Sequence, residues 1–485
     1  SYSDTNAKGE GISPAYLIGS IRSLYPKLEI EGGAGAGGAG VRPHKNSINN
    51  YYYPENPEAG IDLFLEKLTQ ETEKNHEDIL EQADETDAVF GELYSWYLRN
   101  PEYRNRVQKL VQSAFAGKPE DIISQSVAKA LYGEVSPYSA TRLERFAACA
   151  FAHFLQYGMK LTERVEYEFK PMDMGNVMHE ALESFAEEVR KRGMKWTELT
   201  EQERNEIADR CLDNIVADYG NTVLKSSARN EYMIERTRRI LRRTVWALQK
   251  QLEQGEFQPE GFEVTFGGGR IDRVDIMEDQ NKVYVKVIDY KTGNTSFDLV
   301  YLYHGLQLQL MIYLDGALRV EQKKYPDKEI IPAGVFYYNI KDPMIQEKID
   351  ADVEAVSAGL MKELKMNGLV QADPELVYRI DSSLGSIPVA FNKDGSFRKN
   401  SSVADRTQFA VLGRYVRTKI EKIRSSILEG DAEVSPYELG KKNACTYCPY
   451  MTVCGFDRRL SGYEFRRLKN FSDEELWKAF DREAE

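Results

Sequence analysis

Residues 269–291 read GRIDRVDIMEDQNKVYVKVIDYK. Two runs rich in β-branched residues, Arg270 to Ile276 and Val283 to Asp289, flank the polar Glu278, Asp279, Gln280 and Asn281, a pattern that predicts two antiparallel strands joined by a tight turn. A turn centred near residue 280 sets Asp272 opposite roughly residue 288, close to level with Asp289 on the neighbouring strand. Side chains alternate along a strand, so Asp289 and Lys291 share one face while Tyr290 points to the other. Two carboxylates and an ammonium group are thereby expected around one point.

Such a group of charges suits phosphodiester hydrolysis. Carboxylate oxygens are hard ligands for Mg²⁺ or Mn²⁺, and a lysine can hold water and offset the charge that grows on a phosphate. Upstream, Gly175-Asn176-Val177-Met178-His179-Glu180-Ala181-Leu182-Glu183 starts a helix and carries one of only five histidines, whose imidazole is a candidate for a further metal ligand. Downstream, Gln309 and Tyr313 stand four apart on a predicted helix and share a face, in a position to orient a phosphate or the lysine.

The strands sit within a largely helical chain. Helices are predicted near 175–192, 200–218 and 229–253, then around 300–318, 351–366 and 407–428. A further strand is expected at 262–266, a short one near 334–338, and a hairpin about Asn392, Lys393, Asp394 and Gly395. Ser139 can cap a helix carrying Leu143, Phe146, Ala147, Ala150 and Phe154. Helices packed on a small mixed sheet, an α/β (α+β) architecture, is the fold class this order implies.

Cysteine provides a second constellation. Cys445, Cys448 and Cys454 form C-x2-C-x5-C, and Cys149 lies far upstream in the helix after Phe146. Three plus one makes a four-thiolate set, and by spacing alone both zinc and a [4Fe–4S] cluster remain open. Cys211, beside Leu212 and Ile215, reads as a small buried apolar residue.

In order and spacing these motifs resemble the RecB-type branch of the PD-(D/E)XK nuclease superfamily: His179 in G-x-x-x-H-x-x-L-E, Asp272 in G-R-I-D-R-V-D, Asp289 and Lys291 in V-I-D-Y-K-T-G, and Gln309 with Tyr313 in Q-x-x-x-Y. The resemblance implies a restriction-endonuclease-like core. It also implies His179, Asp272 and Asp289 as metal ligands, Lys291 as the catalytic lysine, and Gln309 and Tyr313 as supporting residues. One remote cysteine before the nuclease motifs and a triplet after them resemble the iron–sulfur staple of the nuclease subunits in bacterial AddAB-type helicase–nucleases. On that resemblance Cys149, Cys445, Cys448 and Cys454 hold a [4Fe–4S] cluster. The implied activity is a Mg²⁺- or Mn²⁺-dependent (exo)deoxyribonuclease that cuts single-stranded DNA during double-strand break processing and recombinational repair, with an AddA-type motor as partner.

The 485 residues carry 64 Lys and Arg against 77 Asp and Glu, a formal charge of −13, so a polyanionic partner must be met by local basic patches. Candidates are Arg236, Arg238, Arg239, Arg242 and Arg243 on one helix, and Arg458, Arg459, Arg466, Arg467 and Lys469 near the C-terminus. Tyr301, Tyr303 and Tyr313 are candidates to stack on bases. The absence of G-x-x-x-x-G-K-[ST] excludes a P-loop ATPase in this chain. With neither a long apolar segment nor a signal peptide pattern, the expected location is the cytosol.

By segment, residues 1–31 are expected to be a remnant of a helicase-like portion, with one helix from Ser13 to about Leu24, and 32–50 a Gly-rich, engineered joint. Residues 51–135 are read as a helical segment and 136–485 as the nuclease domain. The short link Phe266-Gly267-Gly268-Gly269-Arg270 suggests a second trimmed loop. Two competing readings are a non-catalytic DNA-binding scaffold held by a metal cluster and a standalone nuclease like the CRISPR-adaptation enzymes.

Overall fold

A computed structural model describes residues 23–24, 57–73, 85–114, 122–133, 139–162, 171–218, 227–267, 269–345, 352–460 and 462–484. The joint expected at 32–50, and the N-terminal helix apart from Ser23 and Leu24, lie outside the described residues. The chain divides into two compact units, Ser1–Leu110 and Val111–Glu485.

In the first unit the helices Pro57–Glu73 and Glu85–Arg99 pack through aromatic side chains. Phe64 is fully buried, stacks on Phe90 with centroids 4.8 Å apart, and meets the edge of Tyr97 at 6.0 Å. The Tyr97 hydroxyl donates to the Pro57 carbonyl at 2.7 Å, tying the two helices.

The second unit is built on a six-stranded mixed sheet in which spatial order follows chain order. Its strands are β1 (Gln258–Phe266), β2 (Gly269–Asp279), β3 (Lys282–Lys291), β4 (Glu329–Asn339), β5 (Asn367–Gln371) and β6 (Val403–Ala404). Neighbours are antiparallel except β3 with β4 and β5 with β6. The parallel β3/β4 pair needs a crossover, and the helix Gln309–Lys324 supplies it. The mixed sheet flanked by helices is the fold class expected.

Both sheet faces are covered. One carries a core with Val177, Met178 and Phe185 of the helix Pro171–Lys191, Leu212 of Glu201–Asp218, and Leu241 and Leu248 of Ala228–Glu253. The other carries Leu143 and Phe146 of Ala140–Ala148, Leu310 and Leu314 of Gln309–Lys324, and Leu412 and Tyr415 of Arg406–Glu429. These helices start where their sequences dictate: Ser139 caps Ala140–Ala148 by accepting from Arg142 N, and Asp405 with Gln408 forms a capping box. Gly316 lets the crossover helix ride close to the end of β1, since a Cβ there would stand 2.6 Å from the Phe266 ring.

Three expectations shift. The strand expected near 334–338 runs the full length of β4, because a register irregularity between Pro332, opposite Val285, and Gly334, opposite Lys286, takes up Ala333 as an extra residue beside the proline. The helix Gln125–Tyr132, expected within the 51–135 helical segment, packs with the second unit, with Ala128 and Tyr132 buried in its core. The β2/β3 turn is Gln280-Asn281, as Asp279 pairs with Lys282. That moves the register by one and sets Asp272 level with Asp289 instead of residue 288.

Candidate active site

Strand register assembles the acids. Phe262 pairs with Arg273 and Val264 with Ile271, which sets Glu263 level with Asp272, and the Arg273–Ile288 pair sets Asp272 level with Asp289. Three adjacent strands thus each present one carboxylate at the same height. Asp289 is 1% and Asp272 8% exposed, so the charges are not ordinary solvated ones.

His179 reaches this row from the helix Pro171–Lys191, held by the burial of Val177, Met178, Ala181 and Leu182. Its Nδ1 lies 3.4 Å from Asp272 Oδ2 and 3.7 Å from Glu263 Oε1. Ligand atoms of His179, Glu263 and Asp272 all fall within 4.8 Å of one another, the only such group of three among the described residues. The other contact of Asp272 Oδ2 is the Tyr290 N–H, which donates at 2.7 Å.

Glu263 is not legible from sequence. It holds φ 48°, a left-handed value uncommon for a side chain of its size, in a strand whose register shifts between Pro259 and Gly261. Arg270 forms an ion pair with it. An acid in E-V-T-F carries no spacing signal towards Asp272 until that irregularity is known.

The lysine sits beside the row. Lys291 Nζ lies 2.5 Å from Asp289 Oδ2, a close ion pair with a buried carboxylate. Lys291 Nζ donates to Gln309 Oε1 at 2.8 Å, and Gln309 Nε2 donates to the Tyr313 hydroxyl at 2.9 Å. The structure therefore brings His179, Asp272, Asp289, Lys291, Gln309 and Tyr313 to one place. Glu144, on the helix Ala140–Ala148, accepts from Leu308 N at 2.7 Å and Gln309 N at 3.0 Å. Nothing in the sequence pairs it with residues 164 and 165 positions away.

The electrostatics show how strained this charge balance is. Burial, reinforced by Asp272, pushes the Asp289 carboxyl up to about 7 against the pull of Lys291. Burial likewise pushes Glu144 up to about 7 despite the two N–H donors. Burial alone would lower the His179 imidazole, yet hydrogen bonds and charge from Asp272 and Glu263 outweigh it and raise it to about 10. His179, Glu263 and Asp272 bring an imidazole and two carboxylates within 4.8 Å of one another, with Asp289 level beside them, a donor set that fits a hard divalent cation once His179 gives up its proton.

On the reverse of the same strands, Arg273 grips Asp275 through contacts of 2.5 and 2.9 Å, and Lys286 Nζ lies 3.0 Å from Asp275 Oδ2. All three are buried, with the Arg273 guanidinium 5.5 Å from the Trp196 ring centre. The second half of the G-R-I-D-R-V-D motif is thus a structural ion network facing away from the site.

Cys149 ends the helix Ala140–Ala148 and is buried with Ala152, Leu155 and Tyr450, and Cys448 packs against this group. Cys445, Cys448 and Cys454 are half-buried, and all four thiols are free. Burial and then the sulfurs of Cys149, Cys448 and Cys454 push the Cys445 thiol up to about 12, so the thiols share one neighbourhood. No three of their sulfurs lie within 4.8 Å of one another. Cys211 is buried in the core, as expected.

The basic patches are largely neutralised. Arg238 and Arg242 pair with Asp213 and Asp209 of the adjacent helix, and Arg239 with Asp342 at 2.6 Å. Arg459 pairs with Asp457 and Lys469 with Glu475. Tyr303 is not available to stack on bases: its ring packs on Tyr415, Phe471 and Phe480.

A sheet carrying acids at one level on adjacent strands, followed two residues on by a lysine, defines a class. Residues 137–455 match the profile of the PD-(D/E)XK nuclease superfamily, and the chain belongs to that superfamily. More particularly, it is 38% identical over its whole length to the B-type subunit of the ATP-dependent helicase/deoxyribonuclease of Lachnoclostridium phytofermentans, of which it covers 42%. Proteins of the same description from Alkaliphilus metalliredigens and a Thermoanaerobacter species are 33% and 30% identical over the whole chain, which covers 43% of each. The chain thus spans less than half the length of these relatives. Among the described residues, no helix is long and apolar enough to cross a membrane.

Proposed function

We propose that this chain is the nuclease portion of an AddB-type helicase–nuclease protein. It acts as a divalent-metal-dependent deoxyribonuclease that cuts single-stranded DNA during double-strand break processing, beside an AddA-type motor in the cytosol. The observation that carries this reading is the level row of Glu263, Asp272 and Asp289 with His179 at one end and Lys291 at the other. His179, Glu263, Asp272 and Asp289 would hold Mg²⁺ or Mn²⁺, which supplies Lewis-acid stabilisation of charge on the phosphate. Lys291, oriented by Gln309, donates to a phosphate oxygen or to the attacking water, and Tyr313 fixes the Gln309 amide.

The same reading assigns a [4Fe–4S] cluster to Cys149, Cys445, Cys448 and Cys454. The support for it is the shared neighbourhood of the four thiols, seen in the mutual effect of Cys149, Cys448 and Cys454 on Cys445. Divalent-ion titration with single-stranded DNA tests the assignment. Cleavage in Mg²⁺ or Mn²⁺, abolished in Asp289→Ala and Lys291→Ala while DNA affinity persists, is expected. Binding without any cut at saturating ion would favour the scaffold reading.

A further inference from the structure

The helix Gln309–Lys324 begins with a deficit. Its N-cap residue, Leu308, has no side-chain oxygen to satisfy the first free N–H groups, and no cap from its own segment replaces one. The acceptor comes from elsewhere in the chain: Glu144 Oε1 takes both the Leu308 and the Gln309 N–H. Gln309 is also the residue whose side chain holds Lys291 Nζ at 2.8 Å.

We propose that Glu144 is a positioning residue for the active-site lysine: by capping this helix from outside, it fixes the Gln309 backbone and so the carboxamide that aims Lys291. The proposal rests on the nuclease reading for its consequence and on the geometry for its cause. The platform under Glu144 is firm. Ser139 caps its helix, Leu143, Phe146 and Ala147 are buried, Arg466 bonds the Ala147 carbonyl, and Cys149 closes the far end. From that platform a chain of contacts runs through the Gln309 backbone, its amide oxygen and Lys291 Nζ to Asp289 Oδ2. Gln309 is held at the backbone by Glu144 and at its amide nitrogen by Tyr313, which leaves the carbonyl oxygen one orientation. A free Gln side chain would sample several rotamers, and the lysine with it.

The test uses the whole chain with a single-stranded DNA substrate and four variants. Glu144→Ala should lower kcat about 10–100-fold with KM little changed, the size of loss found when a residue that orients a site group is removed. Glu144→Gln keeps an acceptor oxygen in place and should restore kcat to within about threefold of wild type. Gln309→Ala and the double variant Glu144→Ala/Gln309→Ala should share one kcat within about twofold, because one acts through the other. Independently multiplying losses, or unchanged kcat in Glu144→Ala, would overturn the proposal. Amide exchange at Leu308 and Gln309 should accelerate in Glu144→Ala and not in Glu144→Gln; unchanged exchange also overturns it. If Glu144→Ala does not fold, Glu144→Asp, which keeps the charge and withdraws the oxygen, carries the same two readouts. A wild-type protein that cleaves nothing would sink the nuclease reading, and the exchange data would still decide the capping link.

Discussion

Replacing Asp289 by Asn should abolish cleavage and, without divalent ions, make the protein more stable at about pH 8. The carboxyl is displaced from 3.8 to about 7 by burial and by Asp272. At about 1.4 kcal/mol per pH unit, those roughly three units set a ceiling near 4 kcal/mol for the strain of ionising it in the fold. The folded value lies above the unfolded one, so the favourable contribution is complete below 3.8 and is lost as pH rises through about 7. The gap between variant and wild type is then near zero at about pH 4, grows to about pH 7 and is flat beyond. That displacement is already net of the pull of Lys291, and relaxation with water entry around the buried charge brings the expected gain down to about 1–3 kcal/mol.

Urea unfolding in EDTA at several pH values, followed through Trp196, Trp246 and Trp477 of the second unit, measures this. Adding Mn²⁺ should narrow the gap, since an ion at a hundred times its Kd stabilises the wild-type site by about 2.7 kcal/mol. An Asn variant that cleaves at the wild-type rate refutes the site. One whose stability falls with pH as steeply as the wild type's refutes the argument that buried, poorly compensated charge sits on Asp289.

Three further outcomes are expected. Glu263→Gln should weaken Mn²⁺ binding by about 10–100-fold in calorimetry, with thermal stability largely kept. Because His179 is raised to about 10 it must release a proton to ligate, so apparent Mn²⁺ affinity should climb by up to about tenfold per pH unit across about pH 6–9; an affinity flat in pH counts against His179 as a ligand. Cys448→Ser should remove any visible iron–sulfur absorbance and lower the thermal midpoint, whereas colourless wild-type protein containing stoichiometric zinc would defeat the cluster assignment.

What the sequence makes visible follows from how each contact is encoded. Asp272, Asp289 and Lys291 lie within a single hairpin, so alternation and turn length nearly fix their meeting, and the one-residue discrepancy comes only from where the turn is centred. His179, Gln309 and Tyr313 require long-range packing and are reached through the ordered family motifs. Glu263 and Glu144 escape for different reasons. The first depends on an irregular strand and a left-handed backbone, neither of which short-range pattern reveals. The second serves a helix that its own segment leaves uncapped, and an acceptor borrowed from a distant part of the chain leaves no local signature.

The reverse face of the hairpin explains why the row of acids keeps its alignment. A slip of one residue between β2 and β3 would exchange every side chain between faces, moving Asp272 away from Asp289. In the native register Asp275 pairs directly with Lys286 across the strands and takes the Arg273 fork, so all three buried charges are matched. A slipped register would leave Arg273 buried without its carboxylate, a loss of about 3–5 kcal/mol by itself. Ile276 opposite Val285 and Val274 opposite Val287 on the other face resist the same slip through lost burial. The alternation Asp-Arg-Val-Asp therefore turns one acid towards the row it shares with Glu263 and Asp289 and uses the other to hold the register that places it.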